Sequence, residues 1–156
     1  YIPAQKGKTH VLHIIRELLS FEPNSKGTDM AQALQYFANA QKRHCTAFLI
    51  SDFIGAGAVD KPLLIASNRH EVNAIQIYDR REAELPNIGL VKFHDAESDK
   101  DLWIDTSLAT VRDDYAQAWK QNQDSLEQLF TRTGVNHISV RTDEDYVKAL
   151  MHLFRC

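Results

Sequence analysis

Four consecutive apolar residues, Ala47 to Ile50, constrain this chain more than any other feature. Such a run is too short for a helix and is typical of a strand that is buried on both faces of a sheet. It ends in Ser51-Asp52, which places two polar side chains at the carboxyl tip of the strand. Ligands and metals bind at that edge of open α/β sheets. The alternative is that Asp52 only caps the turn or helix that follows.

Helical and strand patterns alternate along the rest of the chain. Helices are predicted over 11–19, 28–42, 59–68, 107–133 and from 142 onward, and strands over 45–51, 71–78 and 135–140. This alternation implies right-handed crossovers and a mostly parallel sheet flanked by helices. Two further strands, 90–94 and 102–106, flank a polar turn and predict an inserted β-hairpin. We therefore predict an α/β fold in a single domain over 1–156.

Composition excludes several classes of function. The net charge is −3, from 18 basic and 21 acidic residues without a basic block, so we expect no nucleic-acid binding. No apolar run approaches the roughly 20 residues of a membrane span, so we expect no membrane contact by this segment. The two cysteines form no disulfide framework, which favours a reducing, cytoplasmic setting.

A second candidate ligand lies upstream of the apolar strand. Gly27-Thr28-Asp29 precedes the second predicted helix, and Thr28 is a natural N-cap residue. A helix N-terminus and a neighbouring strand tip can approach each other at the top of a sheet. The hydroxyl of Thr28 and the carboxylate of Asp52 are suitable ligands for Mg²⁺, directly or through water. Two ligands are too few for an octahedral ion, so others must come from elsewhere.

A charged segment, Asp79-Arg80-Arg81-Glu82, follows the strand predicted over 71–78. Its place at a strand end predicts either a charged loop or a short helix. Together with Ser51, these residues are candidates for binding a partner at the ligand edge of the sheet. The alternative is that arginine and glutamate pair locally and fix the segment, since surface pairs of this kind are common and contribute little energy.

Several segments carry a family resemblance. They are Tyr1-Ile2-Pro3 with Gly7-Lys8, the helix 11–19, Gly27-Thr28-Asp29, Phe48-Leu49-Ile50-Ser51-Asp52-Phe53, Asp79-Arg80-Arg81-Glu82-Ala83-Glu84-Leu85-Pro86 and Thr142-Asp143-Glu144-Asp145-Tyr146-Val147. In this order the series resembles the bacterial domain-of-unknown-function 58 family over nearly the whole chain. Members of that family resemble von Willebrand factor type A domains. The resemblance implies a three-layer, Rossmann-like sheet.

The resemblance also implies a metal-ion-dependent adhesion site. In type A domains this site uses a DxSxS loop, a later Thr and a later Asp, and Thr28 and Asp52 match the last two. The chain contains no DxSxS motif. We therefore expect the C-terminal part of such a domain, with its first strands missing and an uncovered flank on the strand 45–51 that permits self-association. Mg²⁺ or Mn²⁺ is expected in the intact domain and not firmly in this chain alone.

The function implied by the resemblance is that of a non-enzymatic protein-interaction module. In type A domains the bound ion offers a coordination position to a carboxylate of the partner. The resemblance further implies a partner among the MoxR-class AAA+ ATPases. The alternative is a metal-dependent hydrolase that uses Asp52 and Asp79, which requires these carboxylates to converge in one cleft.

Overall fold

The computed structural model describes residues 1–22, 28–55, 58–95 and 100–153; Gly27 lies outside them. The helices are α1 (Lys8–Ser20), α2 (Met30–Ala40), α3 (Asp60–Ser67), α4 (Arg80–Ala83), α5 (Ala109–Thr133) and α6 (Tyr146–Leu153), and the strands are β1 (Thr46–Ser51), β2 (Glu71–Tyr78), β3 (Leu90–Asp95), β4 (Lys100–Asp105) and β5 (Asn136–Arg141). Strands β1, β2 and β5 form a parallel sheet in the order β1-β2-β5, and β3 pairs with β4 in an antiparallel hairpin. The α/β class, the parallel sheet and the hairpin are therefore confirmed.

The register of the sheet brings polar residues into one row. Ser51 of β1 aligns with Gln76 of β2, and Gln76 aligns with Ser139 of β5. Aligned residues of parallel strands point to the same face, so these three side chains share one face near the carboxyl ends of the strands. The three strands end at Ser51, Tyr78 and Arg141, and we call this end of the sheet the carboxyl edge.

The hydrophobic core lies on the face of the sheet that is covered by α2, α3 and α5. It contains Met30, Leu34, Phe53, Val59, Leu63, Ala66, Val72, Ala74, Leu126, Leu129, Phe130 and Val135. Phe53 and Phe130 meet edge to face with their ring centroids 5.2 Å apart. Aromatic pairs prefer this geometry, and large buried rings contribute strongly to stability. The core therefore joins the segment that follows β1 to the C-terminal half of α5.

The prediction that β1 is buried on both faces is wrong. Its residues alternate between exposed and half-buried, and the side chains of Phe48 and Ile50 are 44% and 60% exposed. The reason is that α2, α3 and α5 cover the opposite face, whereas the face carrying Phe48, Ile50 and Ile77 is covered only in part. Within the described residues β1 is also the edge strand of the sheet, as expected for an uncovered flank.

Several predicted helix boundaries need correction: α1 begins at Lys8 instead of residue 11, and the C-terminal helix predicted from 142 begins at Tyr146. Thr28 is not the N-cap of α2; the helix begins at Met30, and the carboxylate of Asp29 caps it by accepting a 2.8 Å hydrogen bond from the backbone N–H of Gln32. The long helix α5 begins at Ala109, two residues later than predicted. Its predicted end is confirmed, because Gly134 adopts a left-handed conformation with φ 66° directly after Thr133.

Helix α1 has an apolar stripe that the structure leaves uncovered. None of its residues is buried, and its exposed apolar side chains are Val11, Leu12, Ile15, Leu18 and Leu19. The helix predicted from its periodicity is present, so its amphipathic pattern reflects a surface without a partner layer in the described part of the chain. No helix among the described residues combines the length and apolarity that a bilayer crossing requires.

Replacing Phe130 by Ala tests the core. Phe130 is 1% exposed, so its loss leaves a cavity between α5 and the sheet, and we expect the free energy of unfolding to fall by about 3–5 kcal/mol. Urea denaturation followed by circular dichroism measures this change. The matched control is Leu102→Ala on the exposed hairpin, for which we expect a change within about 0.5 kcal/mol. Equal effects of the two substitutions would contradict the assignment of the core.

Candidate functional site

A buried glutamine connects the three strands at the carboxyl edge. Gln76 is only 3% exposed, and its side chain makes two hydrogen bonds. Its amide Nε2 donates to the backbone carbonyl of Asp52 at 3.3 Å, and its Oε1 accepts from the hydroxyl of Ser139 at 2.8 Å. Buried polar groups are costly unless they are paired. Gln76 therefore fixes the position of the backbone at Asp52 relative to β2 and β5.

The turn after β1 holds Asp52 in a defined orientation. Phe53 has a positive φ of 59°, a backbone conformation that is unusual for a bulky residue. Its side chain is buried in the core, with 2% exposure. Its N–H donates to the hydroxyl of Ser51 at 3.1 Å, and the N–H of Ile54 donates to Oδ1 of Asp52 at 3.1 Å. The cap that the alternative predicted is thus present; that it is the only role of Asp52 stays a prediction. The carboxylate is nevertheless exposed.

Asp79 and Glu82 form the N-terminal cap of α4. Oδ1 of Asp79 accepts from the N–H of Arg81 at 2.8 Å, and the N–H of Asp79 donates to Oε1 of Glu82 at 2.9 Å. This reciprocal pair is a capping box, which confirms the predicted short helix. Oδ2 of Asp79 accepts a further bond from the hydroxyl of Thr142 at 3.2 Å. Both carboxylate oxygens of Asp79 therefore hold local structure, and they tie α4 to the end of β5.

Helix α4 also rests on α5 through a tyrosine. The phenol of Tyr115 donates to the backbone carbonyl of Arg81 at 3.2 Å. Burial raises the pKa of Tyr115 above its ordinary value of 10.0, and the negative charge of Glu82 raises it further. Among the described residues, Oε2 of Glu82 is buried without a hydrogen-bond partner. Glu82 as a whole is half-buried, so one of its carboxylate oxygens is shielded from solvent.

The arginines of the edge differ in their surroundings. Arg80 pairs with Glu84 one turn later at 3.5 Å, as the local-pairing alternative predicted. Arg81 has an exposed side chain, and only its backbone takes part in the cap. Arg141, at the end of β5, pairs with Asp143 and Glu144, and its hydrogen bond lowers the pKa of Asp143. Exposed pairs of this kind are weak, so they orient the guanidinium groups without immobilising them.

Thr28 lies outside this network. It precedes α2 by two residues and is exposed, and no hydrogen bond among the described residues joins it to Asp52. The part of the chain that the structure describes contains no group of three or more His, Cys, Asp or Glu placed to hold a metal ion. The predicted pairing of Thr28 with Asp52 on a divalent ion therefore stays a prediction.

Sequence reasoning missed four residues that build the edge: Gln76, Ser139, Thr142 and Tyr115. Gln76 had a detectable signal, because it is a polar residue near the end of the otherwise largely apolar strand EVNAIQIY. Ser139 and Thr142 have no local signal, since their partners lie 63 residues away in the sequence. Tyr115 belongs to an amphipathic stripe that predicts core packing, and that stripe says nothing about its hydroxyl group.

Comparison with known proteins identifies the family. The family model described as "Protein of unknown function DUF58" matches residues 1–125. This chain belongs to the DUF58 family. The predicted family resemblance is thereby confirmed.

DUF58 relatives of this chain occur in mycobacteria. Uncharacterized proteins of Mycobacterium bovis and Mycobacterium tuberculosis are 33% identical to it over 150 residues, which cover 94% of this chain and 46% of theirs. An uncharacterized protein of Mycobacterium avium is 30% identical over 158 residues, covering 99% of this chain and 92% of its own length. This DUF58 chain thus spans about half the length of the first two relatives. No solved structure matches it with significance.

The electrostatic effect of Glu82 on Tyr115 can be tested by titration. A raised pKa means that the folded state disfavours the phenolate. The free energy of unfolding therefore keeps its full value below the ordinary pKa of 10.0 and falls as the pH rises through the raised pKa. We expect Glu82→Gln to lower the pKa of Tyr115 partway towards its ordinary value, because burial remains. The ultraviolet phenolate absorbance, taken as a difference from Tyr115→Phe, measures this pKa.

The matched control for that titration is Glu84→Gln, which removes a charge from the exposed side of the same segment. It should leave the pKa of Tyr115 unchanged. An unchanged pKa in Glu82→Gln would contradict the proximity of the two groups.

Proposed function

We propose that this chain is part of a non-enzymatic protein-interaction module whose partner binds at the carboxyl edge of the sheet. We further propose a von Willebrand factor A-like arrangement in the intact protein, with a metal-ion-dependent adhesion site at this edge. Thr28 and Asp52 contribute to that site, and Mg²⁺ or Mn²⁺ occupies it. Ser51, Asp79, Arg80, Arg81 and Glu82 border the contact surface.

One observation supports this proposal above the others: Asp52 is exposed at the carboxyl edge, on a backbone that hydrogen bonds hold in place. Gln76 holds the Asp52 carbonyl from one side, and the left-handed conformation of Phe53 sets the direction of the turn. A conformation of this kind costs of order 1–3 kcal/mol and is found preferentially at functional sites. A rigid, exposed carboxylate at the ligand edge suits binding to an ion or to a partner's charged group.

The donor chemistry of the edge fits a hard divalent ion in part. The carboxylate of Asp52 and the hydroxyl of Thr28 supply oxygen ligands, which Mg²⁺ and Mn²⁺ prefer. Two protein ligands leave most of an octahedral shell to water or to groups outside the described residues. We propose that the remaining protein ligands lie in a further part of the intact protein, which corresponds to the part of the mycobacterial relatives that this chain does not cover.

The partner that we propose is a MoxR-class AAA+ ATPase, on the strength of the family resemblance. We propose that the interaction with this partner takes place in the cytoplasm. At the edge, Arg81 is the best candidate for a direct contact with the partner. Its side chain is exposed, and only its backbone N–H takes part in the cap of α4. Asp79 and Glu82 act mainly by holding α4 in place.

The hydrolase alternative finds little support in the geometry. Both carboxylate oxygens of Asp79 already accept hydrogen bonds, from Arg81 and Thr142. Ser51, the last residue of β1, aligns with Gln76, and β2 continues for two residues beyond Gln76. Asp79 therefore lies about 7 Å further along the strand direction than Asp52. These features favour a structural duty for Asp79, and we propose that the chain is not an enzyme.

Calorimetric titration with Mg²⁺ and Mn²⁺ tests the metal proposal. We expect no binding heat with the 156-residue chain and saturable heat with a chain extended to the length of the M. tuberculosis relative. Asp52→Ala should abolish that heat, because it removes a charged ligand. The control is Asp124→Ala, which removes an exposed carboxylate of α5. Binding by the short chain would point to a different site and revive the hydrolase alternative, and failure of the extended chain to bind would overturn the metal proposal.

A binding experiment with a purified MoxR-class ATPase tests the partner proposal. We expect Arg81→Ala to weaken binding of the extended chain by about tenfold, equivalent to the loss of about 1.4 kcal/mol. Arg69→Ala, which removes an exposed arginine at the opposite end of β2, is the control and should have no effect. Biolayer interferometry measures both. Equal affinities of the two variants, or no binding by the unsubstituted chain, would contradict the proposal.

A further inference from the structure

A thiol and an imidazole meet at the amino end of the parallel sheet, opposite the carboxyl edge. Cys45 directly precedes β1 and His70 directly precedes β2, one position before the aligned pair Thr46 and Glu71. The N–H of Glu71 donates to the carbonyl of Cys45 at 3.0 Å, so the pairing of the two strands extends to these residues. Side chains at aligned positions share a face. Sγ of Cys45 and Nδ1 of His70 are accordingly hydrogen-bonded at 3.6 Å.

The imidazole of His70 is buried and fixed in position. It is 3% exposed, and its ring packs against that of Phe37 with the centroids 4.8 Å apart. The backbone N–H of His70 donates to the carbonyl of Ala66 at 2.9 Å, which holds the residue at the carboxyl end of α3. Among the described residues, the other ring nitrogen, Nε2, is buried without a hydrogen-bond partner. An apolar side chain would fill this place without that cost, so the imidazole calls for a functional explanation.

The thiol of Cys45 is the group on which this imidazole can act. The thiolate is the nucleophilic form of cysteine, and a base within hydrogen-bond reach activates the thiol by taking its proton. His70 lies just beyond the carboxyl end of α3, where the helix dipole favours the positive charge that the ring gains in this transfer. Cys45 is half-buried, so a small electrophile reaches its sulfur more readily than a bulky one. The contact lies on the β2 side of β1 and makes no use of the free side of that strand.

We propose that Cys45 and His70 form a redox site at which hydrogen peroxide oxidises the thiol to a sulfenic acid. Nδ1 of His70 takes the thiol proton, and the thiolate sulfur attacks one oxygen of the peroxide. The S–O bond forms as the O–O bond breaks, and the displaced hydroxide takes the proton from His70 and leaves as water. The sulfur loses two electrons and the peroxide gains them. A sulfenic acid is reduced again by thiols, so the modification is reversible.

This redox site is separate from the proposed partner and metal sites. Cys45 and His70 lie at the amino end of the strands, whereas Asp52 and α4 lie at the carboxyl edge. Oxidation of Cys45 therefore holds or fails independently of metal binding and of the ATPase partner.

The rate of sulfenic acid formation, measured by dimedone labelling and mass spectrometry of the Cys45 peptide, tests the proposal. A Cys156→Ser background leaves Cys45 as the single thiol of the chain. We expect the native chain to react at least about tenfold faster than the same chain unfolded in urea, because only folding brings His70 to the thiol. His70→Gln should lower the native rate by about tenfold or more. The matched control is His44→Gln, an exposed histidine whose ring centroid lies 6.4 Å from that of His70, and it should not change the rate.

The comparison of the native with the unfolded chain needs no substitution at His70, so it decides the matter alone if circular dichroism shows that His70→Gln is unfolded. The same labelling of a chain extended to the length of the M. tuberculosis relative should give the same enhancement at Cys45. A native rate equal to or below that of the unfolded chain would overturn the proposal. So would an unchanged rate in folded His70→Gln, or an enhancement that the extended chain loses.

Discussion

The carboxyl edge depends on the two hydrogen bonds of one buried side chain, that of Gln76. A buried amide without partners would be costly, so the strands must keep the register that brings Ser139 and the Asp52 carbonyl within its reach. The same bonds decide where the chain leaves β1. The positive φ of Phe53 then sets the direction of the turn, and the hydrogen bond from the N–H of Ile54 orients the Asp52 carboxylate.

The charged residues of the edge divide into supporting and exposed groups. Asp79 and Glu82 use their carboxylates to begin α4, and Tyr115 and Thr142 fasten that helix to α5 and to the end of β5. Asp52, Arg80 and Arg81 keep exposed side chains at the same edge. A motif that looks uniformly charged in the sequence thus contains two different kinds of residue, and only their surroundings distinguish them.

Local signals were sufficient for most elements of the fold. The strand predicted over 71–78 is β2 without any change of boundary, the hairpin is present, and Gly134 ends α5. The exposure of Phe48 and Ile50 was not predictable in this way, because burial depends on which elements cover a face. The two hydrogen bonds of Gln76 were not predictable either. Their partners lie 24 and 63 positions away in the sequence, so predicting them requires knowledge of the strand order.

Position 53 is subject to two opposing demands. Its backbone, at φ 59°, is the kind that glycine adopts without strain, whereas the core requires a large ring there to pack against Phe130. Glycine would relieve the backbone and empty the core, and a β-branched residue would strain the backbone further without filling the space. Very few side chains satisfy both demands even approximately. Sequence drift at this position is therefore restricted by the geometry of a single turn, whatever the partner of the edge proves to be.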